Sequence, residues 1–288
     1  MIARAAAAFV LFTNAMVGSD PYLGQVAEWR KQAEVRLKAE DGWLAVAGLF
    51  WLKEGENTAG SGAGSGLVLP ASAPARLGVF TFSGGKTTFR AEPGVRATIN
   101  GAVVAAAAMK SDAEGQPDVL VAGDLSMFVI KRGNRYAIRL RDKNSTMRRE
   151  FTGRHWFPAE ARYRVLAKWE PYVPVKTLPV PNILGETEKL PCPGVAVFRL
   201  GGKELRLEPV LEGDRLFFIF RDRTAGKKTY GAGRFLYAAL AKDGTVELDF
   251  NKAYNPPCAF TPFATCPLPP KQNQLPVEIP AGELNYHH

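Results

Sequence analysis

VELDFNKAYNPPCAFTPFATCPLPPKQNQLPVEIPAGELNY (Val246–Tyr286) opens as an alternating strand and continues through a segment that suits neither helix nor regular sheet. It holds eight of the chain's 21 prolines and two of its three cysteines. Proline has no backbone N–H and fixes φ, so this stretch cannot pair as a ladder along its length. Its carbonyls and amides must be satisfied by side chains and by the elements it crosses. The strand that feeds it, Val246–Phe250, is one of three strongly apolar strands, with Leu216–Phe220 and Phe235–Leu240. The Asp243-Gly244 turn joins the last two. A proline-rich segment that closes a set of apolar strands predicts an all-β architecture.

Upstream, Val195–Leu200 and Glu204–Val210 read as a hairpin over Gly201-Gly202. The connector Pro171–Pro193 reads as an extended edge or linker rather than a central strand. Tyr163, Val165, Ala167 and Trp169 alternate with polar residues, as a half-buried strand does. Further back, short strands follow one another from Leu67 to Arg141, with an Asn100-Gly101 hairpin turn among them. GENTAGSGAGSG (Gly55–Gly66) reads as a flexible surface loop, because no Gly-Lys-Ser/Thr ending or following helix makes it a phosphate-binding loop. Trp43–Ala47 and Leu49–Leu52 read as strands around Gly48. One long helix is predicted, starting at Asp20-Pro21 and ending near Glu40, with Val26, Trp29, Ala33 and Leu37 at helical spacing.

The expected fold is therefore all-β with one N-terminal helix. Residues 20–150 would form the helix and a β-sandwich-like half, and residues 151–288 a C-terminal antiparallel sheet or barrel-like half closed by the proline-rich tail. Within residues 1–19, Arg4 precedes the apolar run Ala5–Phe12 and the small-residue site Thr13-Asn14-Ala15. This resembles a short secretory signal and predicts a periplasmic or secreted protein. An alanine-rich extension on a cytoplasmic protein is the alternative.

Composition narrows the function classes. Net charge is +9, yet the basic residues are spread through the chain instead of forming a stripe or tail, so no nucleic-acid partner is expected. No stretch approaches the ~20 apolar residues of a membrane span, so no integral membrane segment is expected. Apart from His287 and His288, the only histidine is His155. A multi-histidine metal site is thus not available, and no metal or cofactor is implied. Cys258 and Cys266 form the favoured disulfide pair if the chain is exported, which leaves Cys192 over.

The most concentrated polar chemistry surrounds the three apolar strands: Arg221, Asp222, Tyr230, Arg234, Asp249, Asn251, Tyr254 and Asn255. If those strands are neighbours, two carboxylates, two guanidinium groups and several amide or phenol groups meet at one sheet end. Such a set could hold an anionic or polyol small molecule through bidentate arginine contacts. It could instead lock the proline-rich coil, because Asn, Asp, Arg and Tyr side chains satisfy irregular backbone.

GWLAVAGLFWLKEGENTAGS (Gly42–Ser61), LFFIFRDRTAGKKTYGAGRFLY (Leu216–Tyr237), LDFNKAYNPPCAFTPFATCPLPP (Leu248–Pro270), the closing AGE and Tyr286 resemble the domain-of-unknown-function 1684 family. That resemblance covers nearly everything after residue 19 and implies a bacterial or archaeal family, with no reaction, cofactor or catalytic residue to transfer. The order of β signals in the first half loosely resembles a forkhead-associated β-sandwich. No phosphothreonine-reading Ser/Arg/His set accompanies it, so phosphopeptide binding is not carried over. The leading expectation is an exported small-molecule-binding or structural protein. A metal-independent hydrolase using Asp249 or His155 is the alternative, and a protein-interaction module a further one.

Overall fold

The computed structural model describes residues 20–286; the expected signal segment and His287–His288 lie outside it. Helix α1 (Pro21–Lys38) begins where the sequence predicts, with the Asp20 side chain accepting the Tyr22 backbone N–H at 2.9 Å and proline in the first turn. Val26, Ala33 and Leu37 form its buried stripe.

Eleven strands follow: β1 (Val46–Trp51), β2 (Gly55–Gly60), β3 (Leu67–Val68), β4 (Gly78–Ser83), β5 (Lys86–Ala91), β6 (Thr98–Ile99), β7 (Ala102–Val103), β8 (Ala106–Met109), β9 (Leu120–Ala122), β10 (Leu125–Arg132) and β11 (Arg135–Asp142). They build two sheets, ordered β1-β11-β10-β9-β6-β7 and β3-β2-β4-β5-β8. The sheets share one core. Leu120, Met127, Val129, Ile138 and Leu140 of the first meet Ala59, Phe80, Phe89 and Met109 of the second. Asn100 and Gly101 take φ of 49° and 86°, the conformation a two-residue hairpin turn requires.

Two readings are corrected in this region. Trp43–Ala45 is a single 3-10 turn, and β1 starts only at Val46, with a bulge before Gly48. The glycine-rich stretch is not all loop, because its first half is β2, paired with both β3 and β4. Small residues are needed there for close packing. A Cβ on Gly60 would lie 2.2 Å from the Ala75 carbonyl oxygen, and the buried Asn57 side chain hydrogen-bonds the backbone of Lys53 and Gly55.

The second half holds β12 (Arg164–Pro181), β13 (Thr187–Leu200), β14 (Lys203–Leu207), β15 (Val210–Glu212), β16 (Arg215–Phe220), β17 (Arg234–Ala239) and β18 (Thr245–Asp249). The sheets are β14-β13-β12-β18 and β15-β16-β17, and neither closes into a barrel. Between them lies a core that includes Ala167, Phe198, Leu207, Leu216, Phe218, Phe220, Leu236 and Leu248. The proline-rich connector is an extended edge, as one of its two readings has it, and not a linker, since it is a long paired hairpin. Beyond Lys176 no other strand pairs with β12 or β13, so both are edge strands there, and edges are where strand prolines are tolerated. A further correction concerns β18, which pairs with β12 rather than β17. The Asp243-Gly244 turn therefore carries the chain from one sheet to the other.

Past Asp249 the described residues contain only single 3-10 turns. Even so, Leu275, Val277, Ile279 and Ala281 alternate into the core with residues of higher exposure between them. This segment buries side chains as a strand does, while Pro276 and Pro280 deny it a continuous ladder. Isolated bonds hold it instead, including Leu275 N to Arg221 O at 2.7 Å and Arg223 N to Val277 O at 2.8 Å.

Candidate ligand-binding site

Strands β16 and β17 are apolar on both faces, which fits a sheet covered on both sides. Leu216, Phe218, Phe220 and Leu236 point into the core between the sheets. Phe217, Ile219 and Phe235 point the other way, toward Leu178, Val180 and Cys192 of the β12–β13 hairpin and Ala264 and Cys266 of the tail. The cover on this second side is incomplete and leaves a cleft of about 1110 Å³. Its floor is the aromatic face of β16 and β17. One wall is α1 with Trp43, another is the hairpin, and the tail from Lys252 to Pro267 closes the remainder. Arg132 of β10 also reaches it, so both halves contribute. A smaller hollow of about 580 Å³ lies along α1, beside Arg30, Glu34, Lys38 and Trp156.

The floor is ordered by ring contacts. Tyr237 stacks on Phe217 at 4.6 Å between centroids and lies parallel to Tyr254 at 6.4 Å, and Phe235 meets Phe217 edge-on at 4.8 Å. The Tyr237 hydroxyl donates to Glu212, and the Arg215 guanidinium sits 4.3 Å above the Tyr237 ring. Burial, followed by the adjacent Tyr254, raises the Tyr237 phenol above its ordinary range. Burial likewise raises Tyr254. Both are neutral phenols at physiological pH.

Five basic side chains line the cleft: Arg36, Arg132, Arg154, Arg215 and Lys252. Three of them have carboxylate partners. Arg132 lies 2.7 Å from Asp112, Lys252 lies 3.1 Å from Asp249, and Arg154 forms a buried pair with Glu283. Arg154 is further enclosed by Trp156 and Tyr254, at 4.9 and 5.7 Å from the ring centroids. Burial raises the Glu283 carboxyl, opposed by Arg154 and by the Asn255 backbone N–H that donates to it at 2.7 Å.

Of the eight polar residues singled out in the sequence, Tyr254 and Asn255 line the cleft. Asn255 Nδ2 donates to the Leu284 carbonyl, while its buried Oδ1 has no hydrogen-bond partner. The others sit elsewhere. Arg234 pairs with Asp222 at 3.2 Å and donates to the carbonyls of Ile279 and Ala281. Asp222 also accepts the Ile279 N–H at 2.6 Å. Asp249 accepts the Tyr22 hydroxyl at 2.8 Å, and Asn251 donates to that hydroxyl and to the Glu160 carbonyl. Tyr230 donates to the Cys258 carbonyl, and Arg221 is exposed, joined to the tail through its backbone. These side chains hold the irregular segment in place.

His155 is exposed, and its backbone carbonyl accepts the Leu284 N–H. Cys258 and Cys266 are thiols side by side, the Cys258 N–H lying 3.3 Å from Cys266 Sγ. Among the described residues no group of three or more His, Cys, Asp or Glu side chains could hold a metal ion. No described helix is long and apolar enough to cross a membrane.

Sequence reasoning missed most of the cleft: Trp29, Trp43, Arg132, Phe217, Phe235 and Tyr237. The available signal was the two-sided apolarity of β16 and β17, which marks a second buried face.

An all-β chain with a two-sided aromatic sheet and an irregular closing segment is the class that the fold and cleft define. The chain belongs to the DUF1684 family of proteins of unknown function, whose profile matches residues 149–284. The Gly42–Ser61 stretch lies outside the matched residues. At 31% identity the chain is similar to an uncharacterised protein of Haloarcula marismortui, solved in solution by NMR, over 48% of this chain and 78% of that one, with a TM-score of 0.40. The FhaA FHA domain, solved in complex with an intracellular domain, matches at 19% identity over 32% of this chain and 97% of its own, with a TM-score of 0.23. An FHA domain from work on phosphothreonine-dependent interactions matches to the same identity and score over 92% of its length. No curated protein matches.

Proposed function

We propose that this protein binds a small molecule with an apolar or aromatic body in the cleft between α1, the β12–β13 hairpin and the outer face of β16 and β17. The observation that carries this reading is the floor itself: Phe217, Phe235, Tyr237 and Tyr254 are ordered against one another beside a cleft of about 1110 Å³. Concave, mostly aromatic surfaces with a few polar groups at their margins are where small ligands bind. A thermal-shift panel of aromatic acids, fatty acids, sugars and phosphates, followed by equilibrium dialysis of any hit, tests it. At least one apolar member raises Tm, and Tyr237→Ala weakens its binding. A panel in which nothing shifts Tm counts against the reading.

The hydrolytic alternative gains no support from the placement of its candidate residues. The Asp249 carboxylate is engaged by Tyr22, the Asn251 N–H and Lys252, and His155 stands outside the cleft. Export rests on residues 1–19 alone. N-terminal sequencing of the cell-derived protein checks it, with cleavage after Ala15 or, as the second choice, after Ser19 as the expected result.

A further inference from the structure

We propose that the end of the cleft at Thr265 is a seat for one negative charge, so that the ligand is a carboxylate carried on an apolar body. This rests on the cleft being the binding site. Two guanidinium groups from neighbouring strands of the first half, Arg132 on β10 and Arg139 on β11, converge on a single hydroxyl of the tail. Arg132 Nε donates to Thr265 Oγ1 at 3.0 Å, and Arg139 Nη2 donates to the same atom at 3.2 Å. A hydroxyl oxygen has two lone pairs and one proton. With both lone pairs taken, the Thr265 proton is left to donate, and Thr265 and Arg132 both line the cleft.

The charges do not balance at this point. Asp112 neutralises Arg132 across 2.7 Å. Arg139 is 4% exposed and has no carboxylate partner; its Nε makes no hydrogen bond, and its guanidinium lies 5.0 Å from the centroid of the Trp43 ring, another cleft wall. Arg141 on the same strand has the Asp41 carboxylate as its own opposite charge, so the charge left over is that of Arg139. Burial, then repulsion from Arg132, pushes the Arg139 guanidinium down to about 10, in keeping with an uncompensated buried cation. A buried charge without a counter-ion is costly, and an anion brought in by a ligand relieves that cost. Arg132 Nη2, which makes no hydrogen bond to the described protein, and the Thr265 proton are the donors it would meet, with Arg139 directly behind them. One uncompensated positive charge matches a carboxylate. A doubly charged phosphate monoester would leave a buried negative excess instead.

Two fluorescent probes with the same ring system isolate the charge: pyrenebutyrate and the uncharged pyrenebutanol. Trp29 and Trp43 line the cleft and report binding through energy transfer to pyrene. Pyrenebutyrate is expected to bind about tenfold or more tightly than pyrenebutanol. Arg139→Met is expected to erase that preference. Thr265→Val, which keeps the side-chain shape, is expected to reduce it as well and supplies the test if Arg139→Met fails to fold. Pyrenebutanol binding as tightly as pyrenebutyrate, or a preference that survives both substitutions, overturns the anion seat while leaving the cleft standing. Tighter binding of pyrenebutyl phosphate than of pyrenebutyrate also overturns it. If neither pyrenebutanol nor pyrenebutyrate binds, the cleft reading itself falls, and the seat with it.

Discussion

Arg234 Nη2 lies 3.2 Å from Asp222 Oδ1 with both side chains 1% exposed, and the pair clamps the tail rather than facing the cleft. Asp222 accepts the Ile279 N–H, and Arg234 donates to the carbonyls of Ile279 and Ala281. Together they supply the hydrogen bonds that the prolines on either side deny to a strand. Removing one partner of a buried ion pair leaves the other uncompensated, at a cost of ~3–5 kcal/mol. Arg234→Met is therefore expected to lower stability by about that amount, read from guanidinium chloride unfolding. A loss under about 1 kcal/mol, the range of an exposed pair, would show that the clamp is not holding the tail.

The AGE motif extends the same logic. Ala281 gives its carbonyl to Arg234, Gly282 gives its carbonyl to the Phe157 N–H, and Glu283 pairs with Arg154. Gly282 has φ of +80°, and a Cβ there would lie 2.5 Å from the Ala253 carbonyl oxygen and 2.7 Å from that of Phe250. Gly282→Ala combines left-handed strain of ~1–3 kcal/mol with a clash against backbone. Thermal denaturation should show it less stable than an Ala substitution at the exposed Gly84 turn, where a Cβ meets nothing.

Cys258 and Cys266 are close enough to oxidise as a pair, whereas the Cys192 thiol donates to the Gly194 carbonyl at 3.3 Å. Diamide, which takes up the two hydrogens, should convert the Cys258 and Cys266 thiols to one disulfide and leave Cys192 as the one titratable thiol of the unfolded, oxidised protein. Loop-closure entropy adds ~2–3 kcal/mol of stability, less any strain. Mass spectrometry of peptides from the oxidised protein locates the bond. Recovery of all three thiols after diamide would refute the pairing.

The buried Cys192 thiol is pushed up to about 11 by desolvation. In the unfolded chain a cysteine ionises near pH ~8.5. The folded state therefore holds its proton at pH values where the unfolded state has lost it. This contribution to stability is complete below pH ~8.5 and declines as pH rises toward about 11. In Cys192→Ala that part of the alkaline decline should be absent. Urea unfolding across this pH range, compared between the two proteins, checks the difference in slope.

Period-two alternation and turn chemistry are local, and they carried most of the strands, the Asn100-Gly101 turn and the α1 start into the sequence reading. Pairing partners are not local. Nothing between Phe235 and Phe250 says that the Asp243-Gly244 turn leaves one sheet for another, since the same turn chemistry serves a simple hairpin. Gly55–Gly60 misled because glycine and serine mark loops by composition, whereas here small size is what lets β2 pass the Ala75 carbonyl. The polar residues around the apolar strands were legible as a group, and their double reading as ligand contacts or coil locks was sound chemistry in both senses. Only side-chain geometry separates Arg234, engaged with Asp222 and two carbonyls, from Arg139, which has a hydroxyl alone. The convergence of Arg132 and Arg139 on Thr265 draws on β10, β11 and the tail, and no spacing in the chain announces it.

The way the tail crosses the molecule has a consequence for synthesis. Thr261 bonds the Val46 carbonyl and Tyr22 bonds Asp249, joining positions more than two hundred residues apart. During translation the paired sheets of the first half can form early, but Trp29, Trp43 and Arg132 wait for partners that leave the ribosome much later. Until then the aromatic face of β16 and β17 lacks the cover that Ala264 and Cys266 of the tail give it. The nascent chain thus passes through a stage with its stickiest surface partly uncovered, and release from that stage coincides with completion of the cleft. If the proposed small molecule binds the cleft, its presence at that moment would favour the docked tail by mass action and make it a participant in maturation.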